Sequence, residues 1–331
     1  MSTSSSEPSP QRHESAAVAA VVVTYERKAL LRQCLEALQN QTHPVDEIIV
    51  VDNASADGTA AMVRSDFPDV TLRVLDENRG GAGGFHEGMK EAVSRDVEWI
   101  WVMDDDVKPR PDALAQLFAQ GLHNQDSTVA LASQKVGTDG QRQATHAGDY
   151  HPVWMRKTPV DRTGPEIEEI QFSSFVGLMV KTEAVDHIGL PKAEYFIWGD
   201  DTEYSLRLGR VGRLFLVRSS RVIHYDSFAT ARKKAPILSQ AWLDRPLDQY
   251  WRNYYSLRNR LLIVNAYAGS LIERWIGYSV GVVRLLRSAA AVLAFDDCKS
   301  LRLKVLLKGF KHGVEGRAGK YYDPDAFGPS D

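Results

Sequence analysis

The stretch Trp99-Ile-Trp-Val-Met-Asp-Asp-Asp106 constrains this chain more than any other. Apolar and aromatic residues lead straight into three carboxylates, and Pro109 and Pro111 are expected to stop the strand just beyond Val107. Short continuous apolar runs mark strands buried on both faces of a parallel sheet. Open α/β sheets bind ligands beyond the carboxyl ends of such strands. Asp104, Asp105 and Asp106 are therefore expected at a strand tip, with Asp104 and Asp106 on one face. Adjacent acids repel, and a divalent cation or a basic group offsets that repulsion. A solvated acidic turn is the plainer origin of clustered acids, but it needs no buried strand to deliver it.

The residues before this strand repeat one theme. Ala17 to Val23 reads as a buried strand ending in Thr24-Tyr-Glu-Arg27, and residues 28–39 carry Leu30, Leu31, Cys34, Leu35 and Leu38 at helical spacing. A second strand, Glu47 to Val51, ends in Asp52-Asn53 and a third, Val70 to Leu75, ends in Glu77-Asn78. This β-α-β-α order implies a parallel, nucleotide-binding sheet with polar groups at successive tips. Asp52 can accept from a base or ribose, and Arg27 can stack on a ring or reach a phosphate. The glycine run 80–84 is expected as a loop before a helix at about 85–94, its amides aimed at a diphosphate or sugar, although a tight turn is the default for such a run. Neither G-x-G-x-x-G after the first strand nor G-x-x-x-x-G-K-[ST] occurs, which weakens dehydrogenase and ATPase readings.

Beyond the aspartates, a helix is expected at 112–122 and a strand at Val129 to Ser133; the polar segment 137–168 reads as a long surface excursion and Phe172 to Val180 as one strand. The second acidic centre is Trp198-Gly-Asp-Asp-Thr-Glu203, opening a helix that packs through Tyr204, Leu206 and Leu208. Helix capping explains one aspartate there but not Asp200, Asp201 and Glu203 together. Neighbouring carboxylates raise one another's pKa, which suits a base taking a hydroxyl proton. His224 ends an apolar strand; a packed core histidine is the commoner case, but here it could complete a metal shell with Asp104 and Asp106. Residues 232–260 are basic and aromatic, and Tyr254 with Arg258 could form a cationic, hydrogen-bonding helix face or simply pack a surface helix.

A net charge of −3 argues against general nucleic-acid binding. Cys34 and Cys298 form no disulfide framework and no metal spacing, and read as reduced, cytoplasmic cysteines. Residues 1–16 read as a disordered tail, residues 17–231 as the α/β domain and residues 232–331 as a helical, basic C-terminal region. No window has the roughly 18 uninterrupted apolar residues of a membrane span; the nearest, 276–295, is broken by Arg284 and Arg287. Residues 299–320 carry seven Lys/Arg against Glu315, a pattern of packed helices or of helices lying on an anionic membrane.

Five motifs in order, VVVTYER, VVDNAS, ENRGGAGGF, WVMDDD and WGDDTEYSLR, resemble glycosyltransferase family 2, the inverting nucleotide-sugar transferases, over about residues 18–230. Within it, NRGGAGGFHEGM, the triple aspartate and YSLRNR look most like bacterial galactofuranosyltransferases of the initiating type, which use UDP-galactofuranose and a polyprenyl-diphosphate-linked acceptor. The resemblance implies a GT-A nucleotide-sugar transferase fold, with a mostly parallel central sheet plus the helical C-terminal region. It implies that Asp104, Asp106 and His224 hold Mn²⁺ or Mg²⁺ with the UDP diphosphate, Asp105 lying on the donor side. Thr24, Arg27 and Asp52 would contact the uridine, and Asn78, Gly80 and Gly81 the sugar or diphosphate. Asp201 matches the general base, and Trp198, Asp200, Tyr254 and Arg258 would serve the acceptor. A peripheral position on the cytoplasmic face of the membrane follows from a lipid-linked acceptor, and the oligomeric state stays open.

Two other readings remain. A rhamnosyltransferase using a dTDP-sugar has the same frame, and a donor screen separates it. A non-catalytic nucleotide-sugar-binding scaffold has another purpose, and release of UDP would exclude it.

Overall fold

The computed structural model describes residues 16–161, 163–225, 246–324 and 327. The Arg232-Lys-Lys234 triplet and nearly all of the expected tail lie outside these residues. The first half alternates as the apolar periodicity dictates: β1 (Val18–Thr24), α1 (Lys28–Gln39), β2 (Glu47–Asp52), α2 (Thr59–Asp66), β3 (Thr71–Val74), α3 (Gly80–Val93) and β4 (Trp99–Asp104). The four strands lie side by side as β3-β2-β1-β4, all parallel. Successive side chains of a strand point to opposite faces, and β1 serves two cores. Val18, Ala20 and Val22 pack with Leu31 and Leu35 of α1, Met62 of α2 and Trp101 of β4. Ala19, Val21 and Val23 pack with Phe85 and Met89 of α3 on the other side.

The second half completes the sheet. It comprises β5 (Val107–Pro109), α4 (Ala113–Ala119), β6 (Thr128–Val136), β7 (Ala147–His151), β8 (Arg156–Pro159), β9 (Ile167–Ile170), β10 (Phe172–Ser173), β11 (Leu178–Lys181), α5 (Thr182–Ile188), α6 (Asp200–Leu208) and β12 (Arg213–His224). The nine-stranded sheet continues from β4 as β11-β6-β12-β5, with β9 also paired to β12. Only β11, β5 and β9 run against the rest. The architecture is α/β with a mostly parallel central sheet.

Four expectations are corrected here. The prolines do not stop the chain after the aspartates: Asp105 and Asp106 form a turn, and β5 runs back with Pro109 on a sheet edge, where a missing N–H costs no ladder bond. The glycines at 80–84 are not a loop but the first turns of α3. Residues 137–168 are not a bare excursion, since β7 and β8 form a hairpin that joins β10 in a separate three-stranded sheet. Phe172 to Val180 splits into β10 and β11 at Gly177, whose φ of 78° breaks the strand.

Three helices follow: α7 (Arg252–Tyr267), α8 (Leu271–Phe295) and α9 (Lys299–Val314). Ser270 caps α8 by accepting from Glu273 N at 3.2 Å, and the Glu273 carboxylate accepts from Gly269 N at 2.6 Å, a serine-x-x-glutamate start signal. Tyr254, Leu261 and Val264 of α7 are buried against α8 and α9. Among the described residues α8 alone is long and apolar enough to cross a membrane, with a mean hydropathy of 1.4 over its most apolar window and 11% of that window buried. Arg284 and Arg287 interrupt its apolar run, as expected from the sequence, without lowering its mean hydropathy below that of a spanning helix.

Candidate active site

Register sets the first acidic centre. Thr24 at the end of β1 pairs with Asp52 of β2, and Val23 with Asp104 of β4, so three polar tips line one edge of the sheet. The turn after β4 sends Asp105 back under β1, where its Oδ2 accepts from the Thr24 hydroxyl at 2.8 Å. Arg27 reaches across from the first loop, donating to Asp105 Oδ1 at 3.2 Å and Asp106 Oδ2 at 2.8 Å. One guanidinium for three acids leaves the cluster undercompensated. Burial, then Asp106 and Asp105, raise the Asp104 carboxyl well above its ordinary range. Burial pushes Asp105 up to about 6, against the pull of Arg27 and Thr24.

The second centre arrives on a strained loop. Phe196 and Trp198 hold φ of 64° and Gly199 86°, left-handed conformations that the first two residues adopt at a cost. That loop is held from two sides. Asn259 Nδ2 of α7 donates to the carbonyls of Tyr195 at 2.9 Å, Ile197 at 2.9 Å and Trp198 at 2.7 Å. Arg258 donates to Glu194 O at 3.1 Å and Tyr195 O at 2.9 Å, and to Gly319 O. From the sheet side, Ala82 N at the start of α3 donates to Phe196 O at 3.1 Å. A Cβ on Gly80 would lie 2.1 Å from that same oxygen, so only glycine allows this approach.

The loop ends by opening α6 with Asp200 and Asp201. Asp200 is buried, and burial followed by the neighbouring Asp201 raises its pKa to about 7, while backbone amides at the helix start oppose the rise. Its charge also reaches Asp104 and adds to the upward shift there, so the two acidic centres lie within one electrostatic environment. Both side-chain hydrogen bonds to Asp201 end on Oδ1, from Thr202 N at 2.6 Å and Thr202 Oγ1 at 3.1 Å. Glu203 belongs elsewhere: it pairs with Lys192 at 2.9 Å and Arg207 at 3.0 Å.

The remaining candidates divide. Asp52 is fully buried; Oδ1 accepts from Ser55 N at 2.9 Å, and Oδ2 has no hydrogen-bond partner. An orphaned buried carboxylate oxygen is costly unless a ligand donor meets it. Asn78 turns inward, its Oδ1 accepting from Gly80 N at 2.8 Å, and Gly81 has open space beside its Cα. Thr24 spends its hydroxyl on Asp105, and Gly80 packs on Phe196, so both support acids rather than line an open face. Trp198 is half-buried next to the acid pair.

Tyr254 and Arg258 do not form the expected cationic face. Both are buried; Arg258 lies over the Tyr254 and Tyr255 rings, and the Tyr254 hydroxyl lies 2.7 Å from His312 Nδ1. The aromatic helices needed a core, and the arginine was drawn in as the clamp of the loop above.

Sequence reasoning missed Asn259, Lys135 and Lys157. Lys135 sits at the end of β6, fully buried, its Nζ donating to Ser173 Oγ at 2.6 Å. Burial lowers its pKa to about 7, and Asp201 pulls the other way. Lys157 of β8 behaves likewise: burial lowers it, and Asp201 opposes. The available signal was a lysine closing the apolar run Val129 to Ser133; nothing local marked Asn259.

Asp106 carries the test of whether a metal fits. Its Oδ1 is buried without a hydrogen-bond partner and lies 3.5 Å from His224 Nε2, because β5 pairs with β12 and sets His224 opposite Val107. A carboxylate oxygen facing an imidazole nitrogen suits Mn²⁺, and less well Mg²⁺. Among the described residues no group of three or more His, Cys, Asp or Glu side chains is placed to hold a metal ion, so the expected three-ligand set of Asp104, Asp106 and His224 is not formed by the side chains alone. Such ions are commonly held by one or two carboxylates plus substrate phosphates, so the donor set fits.

Comparison with known proteins gives the family. The family model described as Glycosyl transferase family 2 matches residues 19–189. Galactofuranosyltransferase GlfT1 of Mycolicibacterium smegmatis is 30% identical over 73% of this chain and 81% of its own length. The N-acetylglucosaminyl-diphospho-decaprenol L-rhamnosyltransferase of Mycobacterium tuberculosis is 23% identical over 73% of this chain and 92% of its own. Among solved structures, GalNAc-T7 with UDP, GalNAc and Mn²⁺ superposes with a TM-score of 0.58 at 14% identity, over 92% of this chain and 56% of that one. The fold is therefore of the GT-A kind, and the chain belongs to glycosyltransferase family 2, with galactofuranosyltransferases among its relatives.

Proposed function

We propose that this glycosyltransferase moves galactofuranose from UDP-galactofuranose to a lipid-linked glycan in cell-wall or surface-polysaccharide assembly, with inversion at the anomeric carbon. The observation that carries this reading is that two acidic centres with different partners share one electrostatic environment, Asp200 acting on Asp104. Asp104–Asp106 sits under one arginine at the sheet's strand tips, and Asp200–Asp201 at a helix start near the buried Lys135 and the half-buried Lys157. The likeness to a galactofuranosyltransferase over most of the chain supports the choice of sugar.

Each residue then has a task. Asp52 Oδ2 accepts from the uracil or ribose, which removes its orphaned state. Arg27 bridges the acid cluster and the diphosphate. Asp106 and His224 would hold Mn²⁺ or Mg²⁺, with Asp104 beside them, and the ion would supply Lewis-acid neutralisation of the leaving diphosphate. Asp201 takes the proton of the acceptor hydroxyl as its oxygen attacks the anomeric carbon from the face opposite UDP. Thr202 fixes Oδ1 during this step, so that Oδ2 faces the acceptor. Lys135 and Lys157 place positive charge within reach of Asp201. Trp198 walls the acceptor side.

The deciding experiment incubates the full chain with UDP-galactofuranose or dTDP-rhamnose, a lipid-linked rhamnosyl-GlcNAc acceptor and Mn²⁺, and weighs the product. A gain of one or more hexose units with UDP-galactofuranose alone is expected. A deoxyhexose gain favours the second reading, a rhamnosyltransferase, which the 23% identical relative motivates. No release of nucleotide with either donor leaves a non-catalytic binding scaffold.

A further inference from the structure

The hairpin of β7 and β8 runs from the acid pair to an apolar groove. Near Asp201 it carries Lys157 and the buried Tyr150, whose hydroxyl lies in the field of Arg260, Arg284 and Asp201. At its tip, Met155 O accepts from Arg260 Nη1 at 3.2 Å and from Arg284 Nη2 at 2.8 Å. Next to that carbonyl, Trp154 faces α8 across an open cavity of about 600 Å³, lined by Ile272, Trp275, Ile276, Val280 and Val283. Trp154, Ile272 and Trp275 are 53%, 73% and 68% exposed, a large uncovered apolar surface.

The cations between groove and acids are also uncompensated. Burial, then Arg260 and Arg287, push the Arg284 guanidinium below its ordinary value. Among the described residues none of these three arginines lies within ion-pair distance of a carboxylate, and Arg284 Nε is buried without a hydrogen-bond partner. Three guanidiniums gathered without an acid call for an anion with several oxygens. An apolar groove beside them calls for a chain.

We propose that Arg260, Arg284 and Arg287, together with the groove between Trp154 and α8, seat an isoprenoid diphosphate, its diphosphate on the guanidiniums and its first isoprene units between Trp154 and Trp275. This rests on the reading that the acceptor is a lipid-linked glycan, and it says where the lipid end lies. The sugar end then extends along the β7–β8 hairpin, past Lys157 and Tyr150, to Asp201. The groove volume lies in the range of small-molecule sites. A bilayer surface would meet the outer face of α8 but would leave Arg260 and Arg284, which meet at Met155 O, without an anion.

The test is calorimetric titration of the full chain with farnesyl diphosphate, with farnesol and inorganic pyrophosphate as controls, each with saturating UDP and Mn²⁺. Farnesyl diphosphate should bind at least about tenfold more tightly than either control, since both ends contribute. Trp275→Ser and Arg287→Gln alter exposed residues and should each weaken it about tenfold, with UDP affinity unchanged. Four results overturn the proposal: equal affinity for farnesol, loss of binding when UDP saturates the donor site, variants that bind as the parent does, or anionic phospholipid vesicles that bind the chain while farnesyl diphosphate does not. These readouts involve no sugar transfer. If UDP-galactofuranose proves the wrong donor, the seat still stands or falls by itself; if a lipid-free disaccharide is extended while farnesyl diphosphate fails to bind, the seat alone is lost.

Discussion

The two acidic centres are built by different means. Asp104, Asp105 and Asp106 are fixed by strand register, a tight turn and one arginine from the neighbouring loop, all within the first third of the chain. Asp200 and Asp201 are delivered by a loop with two strained residues, and that loop is held by α7, about sixty residues later in sequence. A centre made from register is as rigid as the sheet. A centre made from a clamped loop is only as well placed as its clamp, so remote substitutions should reach it.

The largest effects test whether the centres have the separate roles assigned above. Asp201→Asn keeps the shape and removes the base, so transfer should fall by roughly two to four orders of magnitude while UDP affinity stays unchanged. Single-turnover transfer and UDP calorimetry, run together, read this; normal turnover would remove Asp201 from the role. Asp106→Ala takes away the carboxylate that faces His224 at 3.5 Å. Mn²⁺-dependent UDP binding should weaken by about ten- to a hundredfold, and an unchanged metal dependence would refute the assignment.

Asn259→Ala sharpens the contrast between register and clamp. It deletes the donor shared by three carbonyls of the strained loop and touches neither the strand tips nor Asp106. Misplacing the acid pair should lower kcat about tenfold or more with the donor KM unchanged, and the lost bonds should cost about 1–3 kcal/mol in urea unfolding. Equal loss of kcat and donor affinity would mean that the clamp holds the whole site rather than one end.

The same contrast explains what could be read from the chain. The strand tips were legible because burial on both faces writes a continuous apolar run and the residue that ends the run sits at the tip, whereas Asp105 and Asp106, expected to extend the strand, form a turn. Arg27 and Asp52 followed from position alone. Asn259, Lys135 and Lys157 were not legible in that way, because their importance depends on which backbone they meet, and helical periodicity says nothing about that. Arg258 was misread as a surface cation for the same reason: a guanidinium saturated by carbonyls and stacked on tyrosines has the sequence signature of an exposed one. The glycines at 80–84 were expected to serve a ligand, whereas Gly80 serves the contact between α3 and the strained loop.

The smallest expected effect concerns pH, and it separates the acids of the clamped loop from each other. Asp200 keeps its proton in the folded chain up to about pH 7, whereas its ordinary value is 3.8. Between those values the folded state binds more protons than the unfolded state, so stability declines as pH rises from about 4 to about 7 and then levels. Asp200→Asn cannot ionise and should lose that part of the decline, seen as a smaller fall in Tm between pH 5 and pH 8. In the parent chain, ionisation of Asp200 puts a second negative charge beside Asp201, where the acceptor proton arrives. Transfer should therefore rise a few-fold through about pH 7, and Asp200→Asn should flatten that rise while keeping most of the rate at pH 6. A variant that instead loses activity at every pH, as Asp201→Asn is expected to, would give the two aspartates a shared role and erase the distinction between base and neighbour.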